Sequence, residues 1–104
     1  MNLTIATIAK QINASFEGDA SLLIDAISID SRSLQNGPHT LFFALIGPNN
    51  DAHSYIIDLI QQGVTHFVVQ YIPEDCVGKA HFLVVQNTLA ALQELASYHR
   101  SLFH

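Results

Sequence analysis

The run Leu41-Phe42-Phe43-Ala44-Leu45-Ile46 is apolar at every position, and this continuity constrains the fold more than any other feature of the chain. A strand sends alternate side chains to opposite faces, so a strand with one wet face reads apolar, polar, apolar. A run that is apolar on both faces has to be covered on both, which is the situation of an inner strand of a parallel sheet. Two shorter segments share the character: residues 66–70, around Phe67-Val68-Val69, and residues 81–86, around Phe82-Leu83-Val84-Val85.

The segments between and around these strands read as helices and turns. Thr4 is placed to cap a helix in which Ile5, Ile8, Ala9 and Ile12 recur at helical spacing. An extended piece at 14–17 leads to Gly18, and residues 24–30 read as a strand whose alternation slips near Ala26. Asn36-Gly37-Pro38 is a turn cluster before the central run, and Gly47-Pro48-Asn49-Asn50-Asp51 breaks the chain after it. Residues 54–62 predict a helix with Tyr55, Ile56, Leu59 and Ile60 on one stripe and Gly63 as its stop. Asn87 or Thr88 caps a last helix whose apolar stripe is expected at Leu89, Leu92, Ala96, His99 and Phe103. Strand, helix, strand, short connection, strand, helix predicts a small α/β fold: a mixed, mainly parallel sheet of about four to six strands with covering helices.

Residues 1–104 are expected to form one domain, since this length supports a single core. Disorder is excluded by 49% hydrophobic against 12% charged residues, because burial on that scale offsets the entropy of ordering. No apolar run reaches the roughly 18 to 20 residues of a membrane helix. The start lacks the basic and apolar regions of a secretory signal, which makes the cytoplasm the expectation. The basic residues Lys10, Arg32, Lys79 and Arg100 are scattered and the net charge is -5, so no positive stripe is available for nucleic acid. Cys76 is the single cysteine; beside Glu74 and Asp75 its thiol is expected to be structural.

The sequence has no phosphate loop, no dinucleotide-binding glycine pattern, no C-x-x-C and no H-E-x-x-H. The histidines at 39, 53, 66, 81, 99 and 104 show no metal-ligand spacing and read as structural. Two polar loops stand out because each follows a strand, and ligands of open α/β sheets bind at the carboxyl ends of strands. One is Asp30-Ser31-Arg32-Ser33; the other is residues 47–53, leading into a helix whose first N–H groups attract an anion. From the residues alone, Asp30-Ser31-Arg32 is either a ligand loop or a turn closed by an Asp-Arg pair. A hydrolase with Ser31 as nucleophile, His53 as base and Asp51 as orienter is a further reading, without a nucleophile elbow to support it. A non-catalytic interaction module that uses Tyr55, Tyr71 and Phe103 is another.

At these loops the sequence resembles the N-terminal domain of the Mur ligases, of the type shared by the ligases MurE and MurF. The resemblance rests on Ile29-Asp30-Ser31-Arg32, Gly37, the run from Leu41 to Gly47, Asp51-Ala52-His53, Gly63-Val64 and Phe67-Val68-Val69, with Thr88-Leu89-Ala90-Ala91-Leu92 in the last helix. Its wording is most similar to the MurF part of the ligases fused to alanine racemase. The resemblance implies a domain that recognises UDP-MurNAc-tripeptide for addition of D-Ala-D-Ala, without catalytic residues, metal or cofactor of its own. In the full-length ligase a central domain would bind ATP, with Mg²⁺, a C-terminal domain would help bind the incoming amino acid or dipeptide, and a fused racemase would carry PLP. Ile29 and Ser31 would line a uracil pocket, Pro48, Asn49 and Asn50 would form the facing loop, and Arg32 would support the loop or meet a phosphate. Ala52 departs from the family's usual Gly, which matters if that position needs a positive φ.

Overall fold

The computed structural model describes residues 2–16, 18, 20–30 and 39–101. A short strand β1 (Leu3–Thr4) runs straight into helix α1 (Ile5–Gln11), and the Thr4 side chain accepts a hydrogen bond from the Thr7 N–H as its N-cap. Strands β2 (Leu23–Ile24), β3 (Ala26–Ser28) and β4 (Thr40–Phe43) follow. Next come a 3-10 turn (Ala52–Tyr55), α2 (Ile56–Gln61), β5 (His66–Val69), a second 3-10 turn (Glu74–Cys76), β6 (His81–Val84) and α3 (Thr88–Ser101).

The main sheet has the order β3-β4-β5-β6 with every pair parallel, so all four carboxyl ends lie at one edge. A separate antiparallel pair, β1 with β2, stands beside it. The slip read near Ala26 is thus a change of sheet: β2 and β3 are separated by Asp25, whose N–H donates to the His39 carbonyl. Ser15, in the extended piece, forms an antiparallel bridge with Val84.

The two-sided character of the central runs becomes two cores. Leu41, Phe43, Val68 and Leu83 point to the face covered by α1 and α3, where Ile5, Ile8, Ile12, Ala91 and Leu95 meet them. Phe42, Ala44, Phe67, Val69 and Phe82 point to the opposite face, under Ile56 and Leu59 of α2. Phe42, Phe67 and Phe82 sit opposite one another across β4, β5 and β6, with ring centroids 6.1 and 5.8 Å apart. The next register row carries His66 and His81, stacked at 4.8 Å and flanked by Phe16. His66 is buried in the sheet, and His81 stacks on it from the exposed start of β6.

Three expectations about boundaries are corrected. The central run leaves the strand after Phe43; Leu45 is half-buried and Ile46 exposed, because the chain folds back so that Ile46 pairs with Asp51. The helix after it begins as a 3-10 turn and becomes α-helical only at Ile56. On α3 the buried residues are Thr88, Ala91 and Leu95, with Leu92, as expected, and Tyr98 packed on the core, while Leu89 is 51% exposed. The stripe lies one residue earlier than read, a rotation of about 100°. The contact that goes with it is distant in the chain: the Thr88 N–H and hydroxyl both donate to Oε1 of Gln70, at 3.0 and 3.2 Å, which holds Thr88 toward the sheet. Phe103 lies outside the described residues. Gly63 does end α2, with φ +103°.

Candidate functional site

The loops after β3 and β4 leave neighbouring parallel strands at the same edge of the sheet. On the first loop, the Ser28 hydroxyl donates to the Asp30 carbonyl at 3.0 Å and accepts from the Asp30 N–H at 3.2 Å, which shapes the strand end. Ile29 projects from this turn and is 52% exposed, available as an apolar wall. Ser31 and Arg32, the two other site residues expected here, lie outside the described residues, as do Ser33 and the Asn36-Gly37-Pro38 turn.

The second loop is fully described. The Ala52 N–H donates to the Leu45 carbonyl at 2.9 Å and the Gly47 N–H to the Asn50 carbonyl at 2.7 Å, closing residues 47–50 into a tight projecting tip. Pro48, Asn49 and Asn50 are exposed on that tip. The Tyr55 hydroxyl meets Oδ1 of Asn50 at 3.0 Å. Ala52 stands where a positive φ was in question. Among the described non-glycine residues only Asn13 has one, so the loop asks nothing of Ala52 that an L-residue cannot give.

Behind the tip lies a network in which the pairing of Asp51 with His53 was expected and the parts of Tyr71 and Gln70 were not. Asp51 caps the 3-10 turn: its Oδ1 accepts from the His53 N–H at 2.9 Å and from Nδ1 of the His53 ring at 2.7 Å. Its Oδ2 accepts from the Tyr71 hydroxyl at 2.6 Å. The ring of His53, 2% exposed, stacks on Tyr71 with centroids 4.2 Å apart, and its Nε2 accepts the Gln70 N–H at 3.0 Å. Desolvation works against ionisation of Asp51. The hydrogen bonds from Tyr71 and from the backbone and ring of His53 outweigh it and hold the carboxyl below the ordinary carboxylate value. The same bond to Asp51 comes first among the causes that push the Tyr71 hydroxyl above its ordinary value, followed by desolvation.

This geometry removes two of the sequence expectations. An anion cannot use the start of the helix after the loop, because the carboxylate of Asp51 already occupies it. The hydrolase reading fails at its base. His53 does pair with Asp51, but its other nitrogen accepts a main-chain N–H from β5's end and its ring is buried, so it has no lone pair to offer a nucleophile. Tyr55 and Tyr71, named for an interaction module, have their hydroxyls engaged with Asn50 and Asp51. The thiol of Cys76 is buried and raised above its ordinary value, first by desolvation and then by Asp75. Among the described residues no three His, Cys, Asp or Glu side chains gather as a metal site, and no helix is long and apolar enough to cross a membrane.

A cleft of about 880 Å³ opens at the carboxyl ends of β5 and β6, beside the start of α3. Gln70, Tyr71, Gln86 and Asn87 line it; Ile29, Pro48, Asn49 and Asn50 do not. Tyr71 is the link, since it walls the cleft while its hydroxyl braces the neighbouring loop. In the sequence, Gln70 and Asn87 gave one signal: each is a carboxamide residue close behind an apolar strand.

No family model matches the chain. It is 34% identical, over 96% of its length, to the UDP-N-acetylmuramoyl-tripeptide--D-alanyl-D-alanine ligase of Haemophilus influenzae, of which it covers 21%. It is also 34% identical, over 77% of its length, to the UDP-N-acetylmuramoyl-L-alanyl-D-glutamate--2,6-diaminopimelate ligase of Bacteroides thetaiotaomicron, of which it covers 16%. The chain therefore spans about a fifth of the length of the curated relatives it matches. In fold it matches a crystal structure of MurF from Acinetobacter baumannii with a TM-score of 0.85, over 97% of this chain and 22% of that one, at 23% identity. Likeness in sequence along nearly the whole chain and the shared α/β fold agree, and the chain belongs to the Mur ligase family as a domain of the N-terminal type found in MurE and MurF.

Proposed function

We propose that the chain is the substrate-recognition domain of an ATP-dependent peptidoglycan-precursor ligase, one that adds D-Ala-D-Ala to UDP-MurNAc-tripeptide, and that it holds the uridine end of that substrate. The observation that carries this reading is the 34% identity along 96% of the chain to a ligase of that name. Its residues supply orientation and no chemistry. Ile29 covers a face of the uracil, Ser31 offers a hydroxyl to its polar edge, and Pro48, Asn49 and Asn50 close over it from the neighbouring strand. Arg32 steadies the first loop or meets a phosphate. Support comes from the placement of the two loops on adjacent parallel strands and from the bracing of the second by Asp51, His53 and Tyr71.

ATP, Mg²⁺ and PLP do not fit this chain's own residues: it has no Gly-Lys-Ser/Thr loop, and Lys10, Lys79 and Arg100 lie exposed and apart. On this reading the 104 residues are one domain of a longer cytoplasmic enzyme, whose central and C-terminal domains bind the nucleotide triphosphate and the incoming dipeptide. A fused alanine racemase would carry the PLP. With net charge -5, most neutralisation of the pyrophosphate also falls to those domains.

The test is a titration of the labelled chain with UDP, followed by NMR. Resonances of Ile29, Ser31, Asn49 and Asn50 should move together, with affinity in the millimolar range, on the order of 4 kcal/mol. Ser31→Ala should weaken it by about 0.5 to 1.5 kcal/mol, one net hydrogen bond. Shifts confined to Lys79, Arg100 or the chain ends would refute the reading.

A further inference from the structure

The cleft at the ends of β5 and β6 has no part in the nucleotide reading, yet two of the polar side chains that line it, Gln70 and Asn87, have a fixed orientation. A main-chain N–H only donates, so the end of a carboxamide that faces it must be the oxygen. Oε1 of Gln70 accepts from the Thr88 N–H at 3.0 Å and from the Thr88 hydroxyl at 3.2 Å; Oδ1 of Asn87 accepts from the Ala90 N–H at 2.9 Å. A carboxamide carries its oxygen and its nitrogen on opposite sides of one carbon. With both oxygens held at the start of α3, both NH₂ groups turn away from it. Gln70 and Asn87 line the same cleft, which makes these NH₂ groups the donors it has to offer a ligand on the present proposal. The N–H groups of Thr88, Ala90 and Ala91 are already used, the last by the Asn87 carbonyl.

The rest of the wall decides the class of ligand. Tyr71, a residue 47% exposed, contributes a ring, Val85 and Ala91 are aliphatic, and Glu94 brings a carboxylate. No Lys, Arg or His is among the described lining residues, and the chain's net charge is negative, which disfavours phosphate and carboxylate ligands. Carbonyl oxygens are the uncharged groups that amide donors satisfy best, and a planar amide also lies flat on an aromatic ring.

We propose that this cleft binds an uncharged, carbonyl-rich ligand of the peptide-amide type, with the NH₂ groups of Gln70 and Asn87 as its donors and Tyr71 as its flat wall. The proposal goes beyond the nucleotide reading and does not rest on it. Two substitutions isolate the donors. Gln70→Glu and Asn87→Asp each exchange an NH₂ for an oxygen while keeping the atom that accepts from α3, and Asp is among the best N-caps. Folding is therefore retained.

The probe is N-acetyl-alanyl-alanine amide, titrated into the ¹⁵N-labelled chain. The side-chain NH₂ signals of Gln70 and Asn87 should shift together and saturate, inorganic phosphate should not compete, and each substitution should weaken binding about three- to tenfold at unchanged melting temperature. The absence of a saturable shift at these side chains up to the probe's solubility limit would overturn the proposal. So would affinity unchanged in both variants, or displacement by phosphate. If one variant fails to fold, the other decides together with the wild-type shifts. UDP titrated into the same sample reads the loops after β3 and β4 separately, so failure of either reading is told apart from failure of the other.

Discussion

Replacing His53 with Phe tests whether the two ring nitrogens, and not the ring's volume, tie the loop after β4 to the end of β5. Phe preserves the packing on Tyr71, now 4.2 Å between centroids, and removes both hydrogen bonds. The two losses are unequal. Asp51 keeps the His53 N–H and the Tyr71 hydroxyl, and its side chain is 38% exposed, so water replaces the ring donor for well under about 1 kcal/mol. The Gln70 N–H is different. It lies partly buried at the end of β5, its acceptor at 3.0 Å is Nε2 of a ring that is almost fully enclosed, and an apolar ring leaves it facing carbon. An unsatisfied donor of that kind costs about 1 to 3 kcal/mol. Together, His53→Phe should destabilise the chain by about 2 to 3 kcal/mol, a large share of the margin of a domain this size. Urea unfolding at neutral pH measures it, with an unchanged slope showing that the same surface is exposed. Hydrogen exchange at the Gln70 amide should accelerate at the same time. A loss below about 0.5 kcal/mol with unaltered Gln70 exchange would refute the argument and make His53 merely a space-filling ring.

Two further outcomes are expected from the packing and from Asp51. Leu83→Ala, at a fully buried position between sheet and helices, should cost about 2 to 5 kcal/mol, whereas Leu45→Ala, half-buried beyond the strand, should cost clearly less; equal losses by chemical denaturation would contradict the observed end of β4. The carboxyl of Asp51 titrates lower in the folded chain than in the unfolded one, so its contribution is complete above the unfolded value of about 4 and disappears as pH falls through the folded value. Wild type should therefore lose more stability than Asp51→Asn between about pH 5 and pH 2, and parallel acid profiles would show that Asp51 gains nothing from its three donors.

Much of the architecture is legible in the sequence because it depends on local or one-dimensional facts. Two-sided apolar runs at 41–46 and 66–70 hold the inner strands β4 and β5, Thr4 caps α1 through its own side chain whatever lies elsewhere, and Gly63 meets a positive φ that stops α2; the similar run at 81–86 holds β6, the end strand of the order, which is apolar on both faces because both cores reach it. The two strand-end loops were legible for the same reason: once the strands are parallel, their carboxyl ends share an edge. Only the tertiary structure decided the features that depend on partners distant in the chain. The slip at Ala26 became a change of sheet because β2 found β1 and β3 found β4. The stripe of α3 was set by Gln70, 18 residues before Thr88, since an apolar pattern tolerates a rotation of one residue while a hydrogen bond does not. His53 looked like a base beside Asp51 until the N–H of Gln70 filled its second nitrogen, and the cleft's donors acquired a direction only when α3 claimed their oxygens. Periodicity reports which face is apolar; the direction of a polar atom depends on the group that happens to stand opposite, and in this chain folding alone brings that group into place.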